Sequence, residues 1–363
     1  MPWLNHAGTS WPKPDAVRAA VADALAAPPE TFADRFTAGR AALAELLGVK
    51  DPARVLITPG ATSALQLGLH DLPWQPGDRL LIGPTEHHAL HGAATRLRHR
   101  GVSVETLPLD AEEGPDLGAL EAALRQGGVR LVALAWASNV TGALVDAAAV
   151  VGLAHAHGAL CLLDAAQTAG VLDLDLDAVG ADLVAIAGHK GPQGPQGIGA
   201  LVRGPRVPAG APGTAWTPAG PPVAGPTGFC DAGSVNLAGL AGLVAGLRSL
   251  GADRHARRHA LTTQLLDGLG ALPGARILGP TDPTRRVGLV SVALPDLDGA
   301  ARQLAAAGVH ASIGRHCAPA AHHALGTLPH GALRLSVGPG TTPADVDAAL
   351  SALKVGRSSG RPA

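Results

Sequence analysis

Between residues 54 and 202, short apolar runs alternate with stretches of helical periodicity. That alternation most constrains how this 363-residue chain folds. Apolar runs at 54–58, 79–82, 103–107, 131–136, 159–163, 183–187 and 199–202 have strand length. Helical stretches at 62–70, 89–100, 117–125 and 146–157 lie between them. Strands spaced by helices read as βαβ units around a mostly parallel sheet. The expected class is α/β, with a mainly parallel seven-stranded sheet in a large domain.

A connector rich in Pro, Gly and Ala follows at 204–228, too long for a simple turn. A long helical pattern then runs from 237 to 269. Beyond it, strand signals at 287–294, 309–313 and 332–337 are interleaved with helical ones at 297–307 and 343–353, which predicts a small C-terminal α+β domain. The expected division is a large domain over 1–240, with residues 1–20 packing against the small domain. The small domain, with its connecting helix, covers 241–355, and 356–363 form a disordered tail.

Composition narrows the function classes. Hydrophobic residues make up 47% of the chain, enough for a sizeable core, but aromatics are only 2% and Tyr is absent. A stacking platform for nucleic acid is not expected. A net charge of −1 gives no handle for DNA or anionic lipid. Cys161, Cys230 and Cys317 are too few and scattered for a disulfide framework. The chain shows no signal-peptide pattern and no run of membrane-spanning length, so a cytoplasmic protein is expected.

Only four of the 28 basic residues are lysines. Lys13, Lys50 and Lys354 read as solvated charges in a proline-rich start, at a helix end and in the tail. Lys190 stands apart. It follows the apolar run 183–187 and opens the glycine-rich stretch 191–197. Burial at a strand end disfavours the charged amine, lowers its pKa and makes it a nucleophile toward an aldehyde.

Asp164 follows the run 159–163, and the carboxyl end of a parallel strand is where open α/β sheets bind ligands. Taken alone it reads as a helix cap. Beside a lysine poised for an aldehyde, it suits a pyridinium nitrogen that must stay protonated. Gly60-Ala61-Thr62 opens a helix whose first N–H groups suit a phosphate. His87, in Thr85-Glu86-His87-His88, is placed to stack on a flat ring. Asn139, in Ser138-Asn139-Val140-Thr141-Gly142, reads as a turn residue or as a ring donor.

The order Gly-Ala-Thr at 60–62, Glu-His at 86–87, Ser-Asn-Val-x-Gly at 138–142, Asp-x-x-Gln-x-x-Gly at 164–170 and Gly-His-Lys-x-x-x-Gly-x-x-Gly-Ile-Gly-Ala at 188–200 resembles the class V, fold-type I pyridoxal phosphate enzymes. The likeness covers residues 4 to 353 and is strongest to the cysteine desulfurase and selenocysteine lyase branch, whose opening motif is similar to residues 4–10. It implies that Lys190 carries the cofactor and moves protons at the substrate Cα. Asp164 would pair with the ring nitrogen, Gln167 would sit at the ring oxygen and His87 would stack on the ring. Asn139 would touch the ring or the substrate carboxylate. Thr62, the Ala61 backbone and His189 would hold the phosphate. Ser234, in Asp231-Ala232-Gly233-Ser234-Val235-Asn236, would reach the phosphate of a second subunit, which implies a homodimer. Arg334 would clamp the substrate carboxylate.

Residues 314–319, Gly-Arg-His-Cys-Ala-Pro, resemble the cysteine loop of group II desulfurases. There Cys317 would take sulfur from L-cysteine as a persulfide, release L-alanine and pass the sulfur to an acceptor protein. A nearby Arg315, His316 or cofactor would favour its thiolate, and Arg315 is a candidate substrate contact. Cys161 reads as core, and Cys230 has no assigned role. His316, Cys317, His322 and His323 fit no tight zinc spacing, so no metal is expected. Three features depart from the family pattern, the first being the 204–228 connector, which is short and poor in the family's usual features. Ala187 lacks the usual hydroxyl, and Ser312 stands where many group II enzymes have an arginine. Three other readings stay open: selenocysteine lyase; an aminotransferase, epimerase or C–S lyase with Cys317 incidental; or a cofactor-binding scaffold with little turnover.

Overall fold

The computed structural model describes residues 1–207 and 235–355. Two helices come first, α1 (Asp15–Ala26) and α2 (Phe32–Leu46). The alternating region then runs β1 (Val55–Thr58), α3 (Ala61–His70), β2 (Arg79–Ile82), α4 (His88–Leu97), β3 (Ser103–Thr106), α5 (Leu117–Arg125), β4 (Val129–Ala135), α6 (Ala147–Ala156), β5 (Leu160–Asp164), α7 (Leu176–Val179), β6 (Leu183–Ala187) and β7 (Gly199–Arg203).

These strands form one seven-stranded sheet in the order β1-β7-β6-β5-β4-β2-β3. Strands β2 to β6 pair in parallel; β7 runs antiparallel to both β6 and β1. Helices cover both faces. Helices α3 and α4 close one face over residues such as Leu80, Leu131 and Leu162. Helices α2, α5 and α6 close the other over residues such as Val132, Leu163 and Val184. Burial on both faces explains why β5 and β6 read as continuous apolar runs rather than as alternation. Truncating a central side chain such as Leu163 to Ala would cost about 2–5 kcal/mol.

The pattern at 237–269 does not form one helix. It divides into α8 (Leu237–Arg248) and α9 (Arg254–Gly270). Ser249 Oγ donates to the Gly246 carbonyl, and the short Leu250-Gly251 stretch turns the chain. Helix α8 contributes Leu240, Leu243, Val244 and Leu247 to the large core, whereas α9 packs in the small one. The boundary expected between 240 and 241 therefore falls inside α8.

The small domain continues as β8 (Arg276–Leu278), β9 (Leu289–Ala293), α10 (Leu297–Ala306), β10 (Ser312–Gly314), α11 (Pro319–Ala324), β11 (Ala332–Ser336) and α12 (Pro343–Val355). Its antiparallel sheet has the order β10-β11-β9-β8. The N-terminal residues join this unit: Leu4 sits in its core, and Trp3 and Asn5 bridge to His310 and Ser336. Helix α1 instead packs on α8. Among the described residues, no helix is long and apolar enough to cross a membrane.

Candidate active site

The carboxyl ends of β2, β4, β5 and β6 open into a cavity of about 570 Å³, closed from the other side by β10, β11 and the loop after β10. His87, Asn139, Asp164, Gln167, His189, Lys190, Ala61, Thr62, Cys317 and Arg334 all line it. Ten of the residues singled out by motif thus converge, although they span more than 270 positions of sequence. Arg315 is exposed and does not line the cavity. Ser234 and Cys230 lie outside the described residues.

Two glycines bring the Asp164 and Lys190 segments together. Gly170 has φ 72°, and a Cβ there would lie 2.4 Å from the Gly191 carbonyl carbon. A Cβ on Gly191 would lie 2.2 Å from the Ala169 oxygen. Only residues without side chains allow this backbone contact.

Asp164 is buried and accepts the Ala166 N–H at 2.9 Å. Burial raises its pKa, opposed by that hydrogen bond and by Lys190. Burial pushes the Lys190 amine down to about 8, with Asp164 pulling the other way. With that value roughly a tenth of the amine is neutral at pH 7, against under a thousandth for an ordinary lysine, and the neutral amine is the nucleophile. His87 caps α4, its Nδ1 accepting the Ala89 N–H at 3.1 Å, and burial lowers its pKa to about 4. The ring is therefore neutral at pH 7. His189 is neutral for the same reason, with Nδ1 3.1 Å from Thr9 Oγ1.

Arg334 comes from β11, paired with Ser312 on one side and Ser291 on the other. It is 5% exposed. Its Nη1 donates to the Asn139 carbonyl at 2.8 Å and Nη2 to Asn5 Oδ1 at 3.4 Å. Among the described residues, Nε is buried without a partner. A buried orphan donor on a guanidinium is the kind of group that a ligand carboxylate satisfies. The Gln167 amide donates to the Ala7 carbonyl at 3.1 Å, so its NH₂ serves the N-terminal segment here.

Cys317 is exposed, on the loop joining β10 to α11. His316 and Cys317 both have left-handed φ, 50° and 55°. Such backbone persists in bulky residues only where its surroundings hold it. Here Asn139 Nδ2 donates to the His316 carbonyl at 2.8 Å. The His88 N–H donates to the Cys317 carbonyl, and His88 Nδ1 faces the same oxygen. Large-domain residues thus clamp the cysteine loop of the small domain. Cys161, by contrast, is buried in β5, and burial pushes its thiol up.

Three residues were missed by motif reading. Lys13 is not a solvated charge: its Nζ donates to Ser10 Oγ at 2.7 Å and to the His189 carbonyl at 3.0 Å, and burial lowers it to about 8. Nothing local marks it, because the contact depends on residues 9–13 folding back onto His189. Glu86 is buried, with both carboxyl oxygens on the Ala135 N–H, and burial lifts it to about 8, which favours its protonated form. It braces the end of β4 beside the cavity. Asn5 lines the cavity and faces Arg334; its place in the opening motif was the available signal.

The aminotransferase class-V family model matches residues 16–349. A cysteine desulfurase of Cereibacter sphaeroides is 33% identical over 342 residues, covering 87% of this chain and 83% of that protein. The apo structure of a cysteine desulfurase from Thermococcus onnurineus NA1 superposes with a TM-score of 0.86 at 25% identity, covering 96% of this chain and 92% of the other. The cysteine desulfurase CsdA from Escherichia coli, in an S-sulfonic acid form, superposes with a TM-score of 0.84 at 27% identity, covering 98% and 94%. The chain belongs to the class-V aminotransferase family.

Proposed function

We propose that this protein is a pyridoxal phosphate-dependent cysteine desulfurase, turning L-cysteine into L-alanine and passing the sulfur to Cys317. The observation that carries the reading is a shared cavity: exposed Cys317 lines the same space as Lys190, Asp164 and Arg334. The desulfurases among its relatives support it.

The residues fit the cofactor. Lys190 offers an amine for its aldehyde. Asp164 is a buried carboxylate for its ring nitrogen, and His87 a neutral ring for its face. The first turn of α3, from Ala61 and Thr62, offers N–H groups for a phosphate. When bound, pyridoxal phosphate supplies an electron sink for charge developing at the substrate Cα.

The chain's own residues do the rest. The orphan Nε of Arg334 and its neighbouring Nη2 bind the substrate carboxylate and fix the Cα over Lys190. Lys190 Nζ takes the proton from Cα. The Cys317 thiolate attacks the substrate sulfur. The Sγ–S bond forms and the Cβ–S bond breaks; the released electron pair takes up a proton, made good by the one the substrate sulfur loses, to become a Cβ–H bond of alanine, and Lys190 returns its proton to Cα. Cys317 is left as a persulfide, and no outside oxidant is needed. Its exposed loop suits onward transfer to an acceptor protein. A homodimer completes the proposal.

The test is mass spectrometry of the Cys317 peptide after L-cysteine is added to the holoenzyme. One added sulfur atom on Cys317, absent in Lys190→Ala, is expected. Alanine formed while Cys317 stays unmodified would refute the sulfur-transfer role.

A further inference from the structure

We propose that His87, His88 and Cys317 form a Zn²⁺ site at the cavity mouth, and that metal bound there blocks the cysteine. A ring nitrogen of each histidine and the Cys317 sulfur all lie within 4.8 Å of one another. Bond lengths of about 2.0–2.3 Å put the donors of a tetrahedral zinc site roughly 3.3–3.7 Å apart. The His87 and His88 rings are stacked, centroids 4.5 Å apart at 28°, so closing that gap takes side-chain rotations that unstack them and turn both lone pairs on one ion. The set differs from the sequence-local cluster His316, Cys317, His322 and His323, because two ligands come from the start of α4.

The donor chemistry favours zinc. One thiolate and two imidazoles make a three-ligand set with a fourth position left for water. Hard cations such as Mg²⁺ prefer oxygen donors. The second shell is partly built. His88 Nδ1 faces the Cys317 carbonyl at 2.9 Å, which fixes the ring and leaves Nε2 free. The left-handed φ of Cys317 and its carbonyl clamp hold the cysteine beside the two rings. His88 and Cys317 are exposed, so the ion has a path in.

The His87 contribution is not free of cost. Its Nδ1 accepts the Ala89 N–H, and coordination gives up that contact to water. The site therefore binds more weakly than a closed four-ligand one. On binding, the Cys317 thiol gives its proton to solvent and its sulfur lone pair goes to the metal. No redox change occurs. Coordination uses the edge of the His87 ring and leaves its face for stacking. The binding site stands on this geometry alone; the block rests on the reading of Cys317 as the sulfur acceptor.

Zinc binding to the holoenzyme, by calorimetry in a cysteine-free buffer, tests the site. Wild type should take up one Zn²⁺ per subunit. Saturating Zn²⁺ should slow iodoacetamide alkylation of Cys317, mapped by mass spectrometry, about tenfold or more. H88N keeps a hydrogen-bonding group near the Nδ1 position but lacks Nε2; it and C317S should each weaken binding roughly tenfold or more. Equal affinity in wild type and H88N, or unchanged Cys317 alkylation at saturating zinc, would overturn the site. Zinc bound while the Cys317 persulfide forms at full rate would overturn the block alone. A wild type that makes no persulfide even without zinc would instead sink the desulfurase reading.

Discussion

The Cys317 carbonyl is held twice by one residue: the His88 N–H donates to it at 2.9 Å, and His88 Nδ1 lies 2.9 Å from the same oxygen. The first contact satisfies an otherwise free N–H at the start of α4. The second needs the imidazole. Together they pin a loop whose residues 316 and 317 sit at left-handed φ. His88→Ala should leave the cofactor absorbance intact and lower the rate of Cys317 persulfide formation about three- to tenfold, the worth of one side-chain hydrogen bond. His88→Asn should recover part of the loss. A His88→Ala enzyme with wild-type persulfide kinetics would mean the backbone contact alone holds the loop.

Gly170 and Gly152 should respond in opposite directions to the same change. A Cβ on Gly170 meets backbone atoms of Gly191 and Pro192 at 2.4 and 2.5 Å, and its φ is 72°. Gly170→Ala should displace Lys190, cost roughly 1–3 kcal/mol from backbone strain alone, and weaken the cofactor band. Gly152 lies exposed in α6 with nothing within 4 Å of the added carbon. Gly152→Ala should stabilise by about 0.5–1 kcal/mol. Thermal melts of the two variants check both signs.

Arg286 ties the Asn139 loop to the small domain. Its side chain is 0% exposed and donates to the carbonyls of Leu289, Pro280, Leu278 and Thr141. Burial lowers its pKa only to about 10, so it stays charged at neutral pH. Arg286→Ala strands those buried carbonyls and should cost about 3–5 kcal/mol. Denaturant unfolding should show this as a lower midpoint. A loss below about 1 kcal/mol would mean water replaces the guanidinium.

The depressed Lys190 pKa sets a pH dependence for cofactor uptake. The unloaded amine is protonated below about 8 and neutral above it. Covalent uptake of the aldehyde should therefore quicken as pH rises through 8 and level off above. An ordinary lysine would keep gaining up to about 10.4. Stopped-flow absorbance on cofactor-free protein between pH 6 and 11 separates the two profiles.

Much of this was legible in the sequence because periodicity and strand-end motifs are local. Strand β6 with the Gly-His-Lys turn, and β5 with Asp164, follow from apolar runs ending in polar residues. What escaped depends on distance. Lys13 reads as solvated until residues 9–13 fold onto His189. His88 and Cys317 are 229 positions apart, and no spacing rule joins them. Helices α1 and α2 were not read from the alanine-rich start. The break between α8 and α9 rests on one serine-to-carbonyl bond and a glycine, too weak a signal inside a continuous helical pattern.

The most direct test of the central claim is alanine and sulfide formation from L-cysteine with a reductant, for wild type and Cys317→Ala side by side. Both proteins must first show the cofactor band that Lys190→Ala lacks. Products from wild type and none from Cys317→Ala are predicted. Equal product from both would contradict the account, because Cys317 would then not be the residue that takes the sulfur.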